Sequence, residues 1–154
     1  MRVGLISDTH GLLRPEAVKF LRGSDLILHT GDIGKAEVLE QLEQLAPVKA
    51  VRGNNDHGGW ANAIPHTDVF KVEHVVIFAI HDASELGIHR VPADARVVVC
   101  GHSHRPLISE RDGVLYVNPG SAGPRRFRLP IAVGELRVKG NSVRVRIAEL
   151  EIAP

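Results

Sequence analysis

Val3-Gly4-Leu5-Ile6-Ser7-Asp8-Thr9-His10 decides the fold of this chain. An apolar run reads as a buried strand, and it ends abruptly in a carboxylate and an imidazole. Pro15 to Leu21 then reads as a short helix, with proline at its start and Gly23 just past its end. Leu26 to Thr30 is a second strand. Ala36 to Leu45 is a second helix, with Val38, Leu39, Leu42 and Leu45 on one face. Val48 to Arg52 is a third strand. The order β-α-β-α-β favours parallel pairing with right-handed crossovers.

The remainder is strand-rich. Val69 to Val72 and Val75 to Ile80 read as neighbouring strands, and Arg96 to Cys100 as a continuous apolar one. Leu107 to Ser109 and Val114 to Val117 flank the turn signal Arg111-Asp112-Gly113. Ile131 to Val138 and Val143 to Ile152 flank Gly140-Asn141. The latter strand alternates through Val143, Val145 and Ile147, as a half-exposed antiparallel edge does. The expected architecture is two sheets packed together with helices outside, in one domain spanning residues 1–154.

Composition bounds the function. A chain of 154 residues can bury a real core, and 44% hydrophobic with 24% charged residues is ordinary for a globular protein. A net charge of +1 gives no global pull towards nucleic acid or anionic lipid. No apolar run reaches membrane length. The single Cys100 excludes an internal disulfide and a cysteine-rich zinc site, so a reducing, cytoplasmic setting is expected.

Five segments offer metal-binding side chains just after a strand: Asp8-Thr9-His10, Gly31-Asp32, Gly53-Asn54-Asn55-Asp56, His81 and Gly101-His102-Ser103-His104. Alone, each is ordinary; D-x-H and G-H-x-H arise by chance, and Gly-Asn-Asn-Asp is common turn chemistry. Together they supply Asp8, His10, Asp32, Asn54, His81, His102 and His104, all oxygen or nitrogen donors that suit first-row divalent ions. In open α/β sheets, sites form beyond the carboxyl ends of strands, so one rim can collect the whole set.

This ordered set, D-x-H, G-D, G-N-x-D, H and G-H-x-H, resembles the calcineurin-like metallophosphoesterase superfamily, and within it the small cap-less bacterial and archaeal phosphodiesterases. Asn118-Pro119-Gly120-Ser121 also looks like the strand-end turn of that group. The resemblance implies a four-layer α-β-β-α sandwich of two mixed sheets flanked by helices. It implies two divalent ions, manganese foremost, with nickel, iron, cobalt and zinc as alternatives. Asp8, His10, Asp32 and His104 would hold one; Asp32, Asn54, His81 and His102 the other, with Asp32 bridging. Asp32, Asn54 and His102 are the residues carried over as catalytic. A water shared by the ions would lose a proton near neutral pH and attack a small phosphodiester in line. The ligand histidines must be neutral to bind, so activity is expected to fall in acid.

Two positions depart from the family pattern. Many members have histidine where this chain has Asn55, and an amide cannot release a proton at neutral pH. Asp82 stands where glycine often follows the ligand histidine; it is either an orienter for a ligand imidazole or a loop residue. Asn55 and His57 are the residues expected to meet substrate. The stretch from His81 to His102 is short for a full crossover helix.

Other residues have plainer readings. His29 reads as a hydrogen-bonded core histidine, His57, His66, His74 and His89 as surface or loop residues, and Trp60 as a loop anchor. Cys100 packs inside its strand, and Arg125, Arg126 and Arg128 form a small basic cluster in a solvated or interface role. Two rival functions remain: a protein-interaction scaffold, since the fold also resembles the small subunit of a eukaryotic membrane-trafficking complex, and a nuclease. A scaffold needs no complete ligand set, and a nuclease gains little from a charge of +1. No nucleic-acid or membrane partner is expected; a homo-oligomer is compatible with the sequence.

Overall fold

The computed structural model describes residues 1–152 of the chain. One sheet holds β1 (Arg2–Ile6), β2 (Leu26–His29), β3 (Val48–Ala50), β9 (Ala132–Lys139) and β10 (Ser142–Glu149) in the order β10-β9-β1-β2-β3. The other holds β4 (Thr67–Val72), β5 (Val75–Ile80), β6 (Ala95–Val99), β7 (Leu107–Arg111) and β8 (Val114–Asn118) in the order β4-β5-β6-β8-β7. Both sheets are mixed. β1, β2 and β3 run parallel in the first, as do β5, β6 and β8 in the second.

The sheets face each other across a core of Val3, Leu5, Leu28, Val75, Ile77, Val97, Val99, Val117 and Leu136. β10 is the expected antiparallel edge, half-buried along its length. α1 (Pro15–Leu21) and α2 (Ala36–Glu43) cover the outer face of the first sheet, burying Ala17, Leu21, Val38 and Leu42 against Ile6, Ile27 and Val133.

The outer face of the second sheet is covered differently. Phe78, Ile80, Val98 and Cys100 pack under Leu86 and Val91, which lie in a loop whose only regular element is a 3-10 turn, Ala83–Glu85. The crossover from β5 to β6 carries a 3-10 turn and no α-helix, so the fourth layer is a loop. A third helix, α3 (Gly59–Asn62), stands where the sequence reads as loop, and half-buried Trp60 anchors it to the core beneath α1 and α2. The hairpin β7–β8 turns on Asp112 and Gly113 alone. Both have positive φ (52° and 79°), and Arg111 already pairs with Val114.

The consequence is one rim. All six parallel strands end on the same side of the sandwich, and all five ligand segments leave from those ends.

Candidate metal centre

The rim brings six of the seven candidate ligand side chains into two groups. Asp8, His10 and His104 form one, and Asp32, His81 and His102 the other; within each, the donor atoms lie within 4.8 Å of one another. Asp32 faces both, with Oδ2 at 3.3 Å from His81 Nε2 and 3.8 Å from His10 Nε2. Asn54 is exposed and lines a cavity of about 310 Å³ together with Arg52, His66, His81, Asp82 and His102.

Two of the buried candidate ligands, Asp8 and His81, are anchored through one atom and free at another. Asp8 Oδ2 accepts from the Ser7 hydroxyl at 2.7 Å and the His102 backbone N–H at 3.1 Å, while Oδ1 has no hydrogen-bond partner. His81 Nδ1 donates to the Thr30 carbonyl at 2.7 Å, which turns an unpartnered Nε2 towards Asp32. His10 Nε2 and His104 Nδ1 are likewise buried and unpartnered. Four of the six buried polar side-chain atoms without a partner among the described residues thus belong to this cluster. Orphaned buried polar atoms are costly unless something else satisfies them. This donor set, all oxygen and imidazole nitrogen, fits divalent cations.

The backbone tells the same story. Asp8, His10, Asp32, His102 and His104 have positive φ, between 47° and 70°, and make up five of the eight non-glycine residues so placed among the described residues. Such conformations cost energy in L-residues and persist only where the surroundings hold them. Two glycines make the crowding possible. A Cβ on Gly53 would collide with the Asp32 backbone and carboxylate, and one on Gly101 with Ser7 and Asp8.

The electrostatics follow from burial and proximity. Burial alone would raise the carboxyls of Asp8 and Asp32, but the facing histidines and the hydrogen bonds they accept hold both below the usual carboxylate range. Burial lowers the proton affinity of His10 below its ordinary value. It would do the same to His81, but Asp32 and Asp8 outweigh it and raise that imidazole.

Several surrounding residues hold the candidate ligands in place. Asn55 does not face the open cavity; its backbone N–H donates to Asp32 Oδ1 at 2.9 Å and its side-chain amide to Oδ2 at 3.2 Å. His57, the other residue expected to meet substrate, is exposed and lies outside the cavity lining, whereas His66, read from sequence as a surface or loop residue, and Arg52, read only as the end of the third strand, are part of it. Asp82 approaches His102 Nε2 at 3.6 Å and also caps the 3-10 turn through Ser84. His29 is fully buried, hydrogen-bonded to Thr9 and Gly31, and pushed down to about 4 by burial.

Sequence reasoning left two braces without a role. Buried Asp56 accepts from Gly53 N–H at 2.8 Å and Gly34 N–H at 3.0 Å, stapling the Asn54 loop to the Asp32 loop. Asn118 donates to the Gly101 carbonyl at 2.9 Å and to Ser103 Oγ at 3.1 Å, and the Ser121 hydroxyl donates to the Asp8 carbonyl at 3.1 Å. The aspartate of G-N-x-D and the Asn118 turn were visible as motifs; their partners depend on the fold.

Comparison with known proteins agrees with this geometry. Residues 1–141 match the calcineurin-like phosphoesterase superfamily domain. A probable metallophosphoesterase of Methanothermobacter thermautotrophicus is 35% identical over 96% of this chain and 91% of its own length. Among solved structures, one described as a novel archaeal phosphodiesterase superposes with a TM-score of 0.78 at 25% identity, covering 96% of this chain and 100% of that one. Vacuolar protein sorting 29 from Cryptosporidium parvum shares the fold, with a TM-score of 0.84 at 22% identity over 97% of this chain and 91% of that one.

Proposed function

The chain belongs to the calcineurin-like phosphoesterase superfamily, and we propose that it is a phosphodiesterase working with two divalent cations on small phosphodiesters. The observation that carries this reading is the pair of facing ligand groups with buried, unpartnered donor atoms on strained backbone. Asp8, His10, Asp32 and His104 would hold one ion and Asp32, Asn54, His81 and His102 the other. When bound, two such cations supply Lewis acidity at the phosphoryl oxygens and acidify water for attack on phosphorus.

The protein's own part is positioning. Ser7 and the His102 N–H fix Asp8, Asn55 grips Asp32 with two donors, and Thr30 orients His81. This is how residues behind the ligands set ligand direction and basicity. Arg52 and His66 stand in the cavity wall, where a guanidinium or imidazole can meet a phosphate oxygen. Asn55 is committed to Asp32 and cannot supply a proton, so diesters with good leaving groups are the better substrates.

Manganese is the ion we propose, and a cytoplasmic setting suits the single buried Cys100. The test is hydrolysis of bis(p-nitrophenyl) phosphate before and after exhaustive chelation. Activity should vanish and return with manganese. Undiminished turnover at verified negligible metal content would reject the reading.

A further inference from the structure

We propose that the surface carrying Arg105, Phe127 and Arg128, beside the candidate metal centre, is a nucleotide-recognition subsite. An aromatic base would stack on Phe127, and a phosphate would sit between the two guanidinium groups. The substrate class is then a small phosphodiester with a nucleotide arm. This deepens the phosphodiesterase reading and rests on it for the reaction, though not for the binding.

Phe127 is the first observation. It is 92% exposed, the most exposed of the large apolar side chains among the described residues, and its φ is 54°. Left-handed turn positions ordinarily go to glycine or asparagine. A bulky aromatic held there, in water, gains nothing from the fold.

Its neighbours are the second observation. Arg105, Phe127, Arg128 and Leu129 line an open cavity of about 670 Å³, within the size range of small-ligand sites. Its floor is tied to the metal-ligand loop. Arg105 directly follows His104, its backbone N–H donates to Ser103 Oγ at 3.2 Å, and Ser103 is held by Asn118 at 3.1 Å. On the other side, the segment leading to Phe127 is tied to the same rim, for the Ser121 hydroxyl donates to the Asp8 carbonyl at 3.1 Å. The subsite therefore lies beside the loops that carry Asp8, His10 and His104.

Charge is the third observation. Arg105, Arg125, Arg126 and Arg128 form no ion pair among the described residues, whereas Arg2, Arg137 and Arg146 all reach Glu135. In a chain of net charge +1, four such arginines, two in the cavity lining with Phe127 and two just before it in sequence, are a local concentration. Guanidinium forks match phosphate oxygens bidentately, and an aromatic face accepts any base. A purely apolar protein partner would have to bury those cations unpaired, at high cost.

The experiment is calorimetric titration of the purified protein, without free metal in the buffer. The probes are α,β-methylene-ADP and its counterpart without the base, ribose 5-methylenediphosphonate. The nucleotide should bind about tenfold tighter or more, the scale of one base stacked on one aromatic ring. Phe127→Ala should erase that preference. Arg128→Ala should weaken nucleotide binding by about tenfold, as expected for a lost charge-assisted hydrogen bond. Equal affinity for the two probes in the unaltered protein, or a preference that survives Phe127→Ala, would overturn the proposal. So would a Phe127→Ala variant that changes only self-association in sedimentation and leaves the probe ratio intact. A preserved nucleotide preference with no hydrolysis of any diester would remove the enzymatic reading and leave the subsite standing. Metal-dependent hydrolysis without the preference would do the reverse.

Discussion

Two charged clusters in this molecule make opposite use of burial. On the outer side of the first sheet, Glu135 is 3% exposed and receives Arg2 at 2.6 Å, Arg137 at 3.0 Å and Arg146 at 3.0 Å. Arg2 spends its remaining donors on the carbonyls of Phe20 and Arg22. No residue of that cluster has positive φ, and none has an orphaned buried atom among the described residues. At the rim, the carboxylates of Asp8 and Asp32 are equally buried, yet donor atoms around them are left unpartnered and the backbone is strained. A closed cluster needs nothing further and contributes to stability. An open one is organised for something the chain alone does not supply.

The strongest way to break this comparison is Asp32→Ala. It removes the one ligand facing both groups, so both ions should be lost and diester hydrolysis should drop by about a thousandfold or more, some 4 kcal/mol of barrier. A variant that keeps two ions and near-normal turnover would remove the bridging role.

Asn55→Ala sharpens it. The two donors on Asp32 are reduced to the backbone N–H alone, and residues behind a ligand typically cost about 10–100-fold in metal affinity or activity when lost. Manganese titration should show the weakening, with hydrolysis partly recovered at high manganese. An unchanged metal affinity would mean that Asn55 acts elsewhere.

The smallest effect on catalysis is expected from Glu135→Gln. Turnover should be unchanged, while stability against denaturant should fall by roughly 1–3 kcal/mol, the range for hydrogen bonds to charged groups. Burial would raise the Glu135 carboxyl, but Arg2 and Arg146 hold it below its ordinary value of 4.5. Its stabilising contribution is therefore full above pH 4.5 and fades as pH falls through the lower folded value. Stability measured from pH 7 downward should lose a component in the variant. A variant with the same acid transition as the parent would show that Glu135 carries none of it.

The strands and the ligand segments were legible because both are local. Strand periodicity needs only neighbours along the chain, and each ligand directly follows an apolar run that must end at a sheet's rim. What the sequence withheld depends on pairs far apart. The grip of Asn55 on Asp32 spans 23 residues and that of Asp56 on Gly34 spans 22, so neither residue type announces its partner. The loop in place of a fourth helical layer stands on the β5–β6 crossover, whose stretch from His81 to His102 already reads as short. His66 reaches the cavity wall only because Arg52 and Pro65 are hydrogen-bonded through their backbones, which draws the start of β4 to the end of β3. The α3 turn carries two glycines and so reads as loop; the burial of Trp60 and Ala61 is what makes it helical.

The central claim is that the open cluster exists to hold two metal ions. The direct measurement is elemental analysis of the folded protein after manganese loading and removal of free metal, alongside Asp32→Ala prepared in the same way. The account predicts two ions per chain in the parent and a loss from both sites in the variant. A parent that retains no metal, or a variant that still retains two ions, would contradict it.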